Sequence, residues 1–376
     1  KYLLQIMKNI YKCFFLFILI LLSFHSKISA INRYVNPLAV AGGGWGAGND
    51  ANAGTQAAPY RTLQRASVVS LPGDVVIVKN GTYPNFEDWY GQYNSASTTG
   101  NGTSANWITI QAETSGSVIF QGSGTGLGYN SEPVLMLSEV QYVRLSGFDV
   151  SANGCFTSMT RSGIRVSDCQ NIIVENCTVH DLGDKGIWMS GNTITVQNCT
   201  VYNVAMVYCT ASTDVLRRNR AGGWPNGISS WYVTNAREGL TAGAGNQNII
   251  IRNNTVRDCW GEGIILIFVN GGEISGNTSY NNFSALFYVD NSSGINVFNN
   301  YGYMTGNSTG SGKYYNSNFT RGVVGIALSG EPYAFITPDA TENALYRIVD
   351  NIKIYNNLIS GTSYGFQYFY FNWTTV

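Results

Sequence analysis

Short runs in which apolar and polar residues alternate, each closed by Asn or Gly, fill most of the chain, and from Val143 on they recur. VENCTVHDLGDKGI (Val174 to Ile187) returns as VQNCTVYNV (Val196 to Val204) and as IRNNTVRDCWGEGI (Ile251 to Ile264). Further copies are ISGNTSYNN (Ile274 to Asn282), VFNN (Val297 to Asn300) and IYNNLI (Ile354 to Ile359). Marking each at its second Asn-type position gives Cys177, Cys199, Asn254, Asn277, Asn300 and Asn357, with steps of 22, 55, 23, 23 and 57 residues. An earlier copy, VRLSGFDV (Val143 to Val150), puts Phe148 at the same mark. A period of 22–23 residues, twice lengthened, is a coil length with two insertions. Each period holds several short strands and has no room for a long helix. Such strands complete a core only when successive copies stack, about 4.8 Å apart, which predicts an all-β solenoid, the parallel β-helix. A pair of β-sandwiches would use as many strands without repeating one pattern at this period.

A solenoid needs its ends covered. PYRTLQRASVVSL (Pro59 to Leu71) reads as a short amphipathic helix, with Leu63, Ala66, Val69 and Ser70 on one side and Arg61, Gln64 and Arg65 more exposed. Pro59 suits the first turn. GDVVIVKNGTY (Gly73 to Tyr83) would then open the first coil, making the helix the N-terminal cap. Upstream, Lys8 and Lys12 precede an apolar run from Cys13 to Leu22, and Ala30 offers a small residue for cleavage. Residues 1–30 therefore read as a secretory signal peptide, and residues 31–376 as one exported β-helix domain. Met7 reads as the initiator, and an end at Val376 inside an aromatic strand pattern reads as truncation of a longer chain. No other segment is long and apolar enough to span a membrane.

Composition narrows the function. The 376 residues carry 22 Lys and Arg against 22 Asp and Glu, and only 12% are charged, so nothing here neutralises a run of phosphates and nucleic acid is excluded as a partner. With 44% hydrophobic residues the chain has the material for a large core, which excludes disorder.

The run YVNPLAVAGGGWGAGNDANAGTQAAPYRTLQRASVVSLPGDVVIVKNGTY (Tyr34 to Tyr83) resembles the opening module of secreted right-handed β-helix proteins of the pectate-lyase-like superfamily. It carries their YV-x-P start, GND, N-x-GT turn, PY-x-T-L-Q-x-A helix, PGD and GTY, and is most similar to the branch that includes the family nine polysaccharide lyases. The resemblance implies a right-handed parallel β-helix, export, a monomer, and an extracellular polysaccharide as partner. It covers the opening module closely and the coils as a pattern, and identifies fold better than reaction.

Cys155, Cys169, Cys177, Cys199, Cys209 and Cys259 remain after the signal, and even parity in an exported chain invites disulfides. Cys177 and Cys199 stand in the marker column that Asn fills later, at about the closest spacing a disulfide permits, so the pair reads either as bridged or as two small buried side chains. No C-x-x-C pair exists for zinc. The Asn column itself has a structural explanation: an amide at a coil corner bonds its own turn and the amide of the next coil. Several of these positions overlap glycosylation sequons, including Asn176, Asn198, Asn253 and Asn277.

Candidate chemistry lies at the other corner. Aligning coils on the Gly before the next strand gives Gly163, Gly186, Gly227, Gly263, Ala285, Gly325 and Gly365. One residue earlier runs the column Ser162, Lys185, Asn226, Glu262 and Ser284, with Lys185 and Glu262 two steps, roughly 10 Å, apart. Asp181, Asn203, Asp258 and Asn281 form a second polar column, with His180, Tyr202, Arg257 and Tyr280 beside it. Asp184, Trp188, Trp224, Trp231 and Trp260 fall in the same coils, and insertions near 204–226 and 304–350 would wall that face. A surface ion-pair ladder would account for the charges. A sugar-polymer groove would account for the indoles as well, since aromatic faces stack on sugar rings while carboxylates and amides bond hydroxyls.

Two reactions fit. For β-elimination, Lys185 would take the proton α to a uronate carboxylate and Arg257 would neutralise that carboxylate. For hydrolysis, Glu262 would face Asp184 or Asp258 across the bond. Trp188, Asn226, Trp231, Trp260, Asp181, Asp184 and Asp258 would hold the polymer in either case. A non-catalytic, adhesin-like binding module uses the same residues. Family nine lyases hold calcium with an Asp cluster beside a catalytic Lys; the similar stretch here, GGWPNGISSW (Gly222 to Trp231), has Asn226 where an Asp would stand, which leaves calcium open. The paired Asp and GHG of polygalacturonases and the DPHD of alginate epimerases are absent, and His180 is the only histidine after His25 of the signal.

Overall fold

The computed structural model describes residues 30–91, 100–123, 132–153, 161–204, 225–230, 246–305, 322–330 and 349–369. Residues Asn32–Val376 form one compact unit. Every strand pairs in parallel with its counterpart one coil away, as a 22–23-residue repeat requires. Three faces result. The first runs through Asp88–Gly91, Glu132–Ser138, Ile228–Ser230, Ile264–Ile267, Ala285–Asp290, Val324–Ser329 and Tyr364–Phe369. The second runs through Asn32–Val35, Val75–Val78, Ile108–Ala112, Gln141–Ser146, Asn246–Arg252, Val269–Ser275, Ser293–Phe298 and Lys353–Tyr355. The long strands Arg161–Glu175 and Ile187–Gln197 bend across both, so these two faces share one 17-stranded sheet. The third face is a separate 9-stranded sheet from Gly81–Pro84 to Leu358–Ser360.

Stacking in register turns the alternation of each strand into apolar columns. Ile164, Ile187, Ile228, Ile264, Phe287 and Ile326 form one rung after another inside the first face. Val174, Val196, Ile251, Ile274 and Val297 do the same on the second, and Val179, Val201 and Val256 on the third. All of these side chains belong to one buried core.

The corner between second and third faces is the Asn ladder. Asn254, Asn277 and Asn300 are buried, and each amide oxygen accepts from the backbone N–H of the preceding rung at 2.9–3.0 Å. Each amide nitrogen also donates to a carbonyl of the coil before, Val196, Ile251 and Ile274. Asn277 is thereby unable to carry a glycan in the folded chain, whereas Asn176, Asn198 and Asn253 are exposed.

The helix spans Leu63–Val69, shorter than the stretch from Pro59, because Tyr60 bonds in parallel to the first strand and keeps the chain extended there. Thr62 caps it, accepting from Arg65 N, and Leu63 and Ala66 join the core beside Val35 and Tyr90. The buried Asp88 carboxylate accepts from Leu63 N at 2.6 Å and from Trp89 N at 2.8 Å. Burial outweighs these bonds and pushes its pKa up to about 7. A folded-state value above the unfolded one means that the native chain holds a proton the unfolded chain releases, so this contribution is full below about pH 4 and is lost as pH rises to 7. The expected loss is on the order of 2–4 kcal/mol, read as a urea midpoint that falls over this range, and Asp88→Asn should flatten the slope. An equal slope in the variant would assign it to other groups.

Candidate functional site

The corner between third and first faces gathers the charge. Glycine is required here by close approach: Cβ atoms at Gly186 and Gly227 would lie 2.5 and 2.3 Å from the Val201 and Val256 methyls of the opposite face. With these glycines in line, Gly186 N donates to Asn226 O and Gly227 N to Glu262 O, so Lys185, Asn226 and Glu262 occupy successive rungs. Asn226 Nδ2 donates to Glu262 Oε2 at 2.6 Å, and both side chains are buried. Lys185 Nζ lies 3.4 Å from Asp184 Oδ2, their side chains 18% and 5% exposed. Asp184 Oδ1 has no hydrogen-bond partner among the described residues.

The next position of the column corrects the alignment. Ile264 pairs with Phe287, so Leu286 stands in the glycine column and Ala285, not Ser284, follows Glu262. Leu286 fits because the opposing position of its coil is Gly302, where a Cβ would lie 3.0 Å from the Leu286 methyl. Large and small residues have exchanged places across the coil.

Trp188 points outward from the first face, half-buried, with its Nε1 donating to Ser162 Oγ. Arg165, directly paired with it one coil back, lays its guanidinium 4.3 Å from the indole centroid, and Lys185 Nζ is 5.4 Å from the same centroid. Arg165 escaped the sequence reading; its signal was its place 23 residues ahead of Trp188, one coil period. Trp260 is only 6% exposed and stacks on Phe283 at 4.3 Å, so its ring faces protein. Trp224 and Trp231, Cys155 and Cys209, residues 1–29, and most of both insertions lie outside the described residues.

Arg257 does not join Lys185 and Glu262. It projects from the third face, bonded to Asp258 and stacked 4.3 Å over Tyr202. His180, Tyr202, Arg257, Tyr280 and Tyr303 are successive rungs there, with ring pairs 4.7–4.8 Å apart. Asp181, Asn203, Asp258 and Asn281 all take left-handed backbone, φ 52–56°, which Asp and Asn adopt more readily than most residues. That conformation accounts for this column without a ligand.

His180 is clamped between Asp149 and Asp181 at 3.1 and 2.7 Å. Burial lowers its pKa, but the two carboxylates more than compensate and hold it up at about 9. The hydrogen bond from His180 in turn holds Asp181 below the usual range, against burial. Because the folded value of His180 lies above the unfolded one, its stabilisation is full below about pH 6.5 and lost as pH rises through 9. Allowing for solvent screening, about 1 kcal/mol should disappear over that interval in wild type and not in His180→Gln, measured by urea unfolding.

Among the described residues no group of three or more His, Cys, Asp or Glu is placed to hold a metal. Glu262 is bonded by Asn226 and Asp184 lies beside Lys185, so among the described residues these carboxylates do not make a calcium cluster. Nor is any described helix long and apolar enough to cross a membrane.

Residues 46–212 match the family described as Pel9A-like, right handed beta helix region, and residues 135–300 match the right handed beta helix region. The chain is a right-handed parallel β-helix protein. Among solved structures, a rhamnogalacturonan lyase is 19% identical, with 80% of this chain and 74% of that one covered and a TM-score of 0.51. The pectate lyase Pel9A is 15% identical over 89% and 79%, TM-score 0.50. The GH136 lacto-N-biosidase from Eubacterium ramulus is 14% identical over 88% and 68%, also 0.50. At these identities the likeness is one of fold. No curated protein sequence matches the chain.

Proposed function

We propose that this is an exported carbohydrate-active protein that cleaves a uronate-containing extracellular polysaccharide by β-elimination at the Lys185 corner. One observation carries the reading: Lys185, Arg165 and Trp188 converge on a single outward position of the first face. Two basic side chains beside one half-buried indole make a place for a sugar ring that bears a carboxylate. Lys185 takes the α-proton; Arg165, rather than Arg257, balances the carboxylate as charge moves onto it. Asn226 and Glu262, one and two rungs along and bonded to each other, continue the polar column. The lyases of like fold support this chemistry, and the signal pattern at residues 1–30 supports export.

Hydrolysis is the second reading, favoured by two buried carboxylates, Asp184 and Glu262, roughly 10 Å apart along the axis, near the separation of inverting glycosidases. A panel of pectate, alginate and glycosaminoglycan polymers separates them. Elimination creates an unsaturated uronate that absorbs in the ultraviolet; Lys185→Ala should lower that rate at least about 10²-fold, the usual worth of a positioned base. New reducing ends without absorbance, lost in Glu262→Gln, would replace the lyase by a hydrolase. Binding without either product would leave a saccharide-binding module.

A further inference from the structure

The geometry points to a cross-coil disulfide between Cys177 and Cys199, a modification site in the two coils that lead into the Lys185 corner. The later rungs Asn254, Asn277 and Asn300 each bond both neighbours; these two rungs replace the amide together, in adjacent coils. Cys199 N still donates to Asn254 Oδ1 at 2.9 Å, and Cys199 Sγ sits 3.8 Å from Val174 O, where an Asn amide would donate. Thr178 and Thr200 are direct partners and Thr200 N donates to Cys177 O at 2.9 Å, which sets the two cysteines one above the other. The strand spacing of about 4.8 Å falls within the Cα separation that disulfides span.

The thiols are also chemically matched. Both are reduced and buried, and each thiol donates to backbone carbonyls, of Glu175 for Cys177 and of Val174 and Gln197 for Cys199. Either cysteine, as thiolate, can attack first in the open chain, here Cys177. The oxidant is a disulfide, glutathione disulfide or an oxidised dithiol protein. Cys177 Sγ⁻ bonds one of its sulfurs and expels the other as thiolate. Cys199, giving up its proton, then attacks Cys177 Sγ and releases the second oxidant thiol. Two electrons and two protons pass to the oxidant, and one S–S bond forms. Cys169 and Cys259, buried in other columns, have no such neighbour among the described cysteines, and burial holds both thiols up.

Both residues are 1% exposed, so the bridge must form before the coils close and must then resist reductant until the chain unfolds. It requires an oxidising compartment and so rests on the export proposed above. The test uses the full chain, unfolded and reduced, then refolded in a glutathione redox buffer, alkylated in denaturant and mapped by peptide mass. The expected map has Cys177 and Cys199 unlabelled and joined in one cross-linked peptide two hydrogens lighter than its parts. In Cys177→Ser, Cys199 should become labelled. Alkyl label on both cysteines of the folded wild type overturns the proposal. Where refolding fails, the same map on chain secreted by a host decides in the same way. A bridge in refolded chain that no host exports supports the disulfide and counts against export alone.

Discussion

Asn277→Ala should lower stability by about 3–5 kcal/mol, read as a drop in the urea midpoint with an unchanged slope. The buried amide takes part in four hydrogen bonds. Its oxygen accepts from Asn254 N and Nδ2 at 2.9 and 3.0 Å, and its nitrogen donates to Ile251 O and Asn300 Oδ1 at 2.9 and 3.0 Å. Truncation strands a backbone N–H and a carbonyl in a corner that water does not reach, each costing about 1–3 kcal/mol. The neighbouring rungs lose a partner as well, so the effect should exceed that of a single exposed amide. A loss below about 1 kcal/mol would show that the rungs are satisfied independently.

Gly227→Ala should be as damaging, for a different reason. The added carbon would stand 2.3 Å from Val256 Cγ1, 2.6 Å from Gly263 O and 3.0 Å from Cys259 Sγ. One of these contacts is backbone, so relief requires the coil itself to move, at about 3 kcal/mol or more. The motion would separate Asn226 from Glu262, which stack through the same glycine. Gly365 is the internal control, since a Cβ there meets nothing within 4 Å. Gly365→Ala should stay within about 0.5 kcal/mol of wild type. Equal thermal midpoints for the two variants would refute the close-approach account.

The repeat, both corners and the rungs Lys185–Asn226–Glu262 were legible in the sequence because a solenoid writes its contacts at a fixed interval. The misplacement at Ser284 arose where that rule was read too locally. Ala285 looks like the missing glycine, but volume is conserved across the coil rather than within the column, and Leu286 is admitted by Gly302. Trp260 and Arg257 show another limit. Sequence spacing assigns a residue to a coil, whereas burial against Phe283 and stacking on Tyr202 decide which way it faces. The Asp181 and Asp258 column shows the same limit: its chemistry is visible in the sequence, its left-handed backbone is not.

Tyr202 and Arg257 are direct partners although 55 residues separate them in the chain, and the rungs on either side of residues 205–224 and 231–245 keep the same register. Scaffold and side segments are therefore solved as separate problems. Descent can lengthen, trade or delete a side segment while every rung stays in place. Two relatives that share this frame can then diverge in what they hold without either having to relearn how to fold.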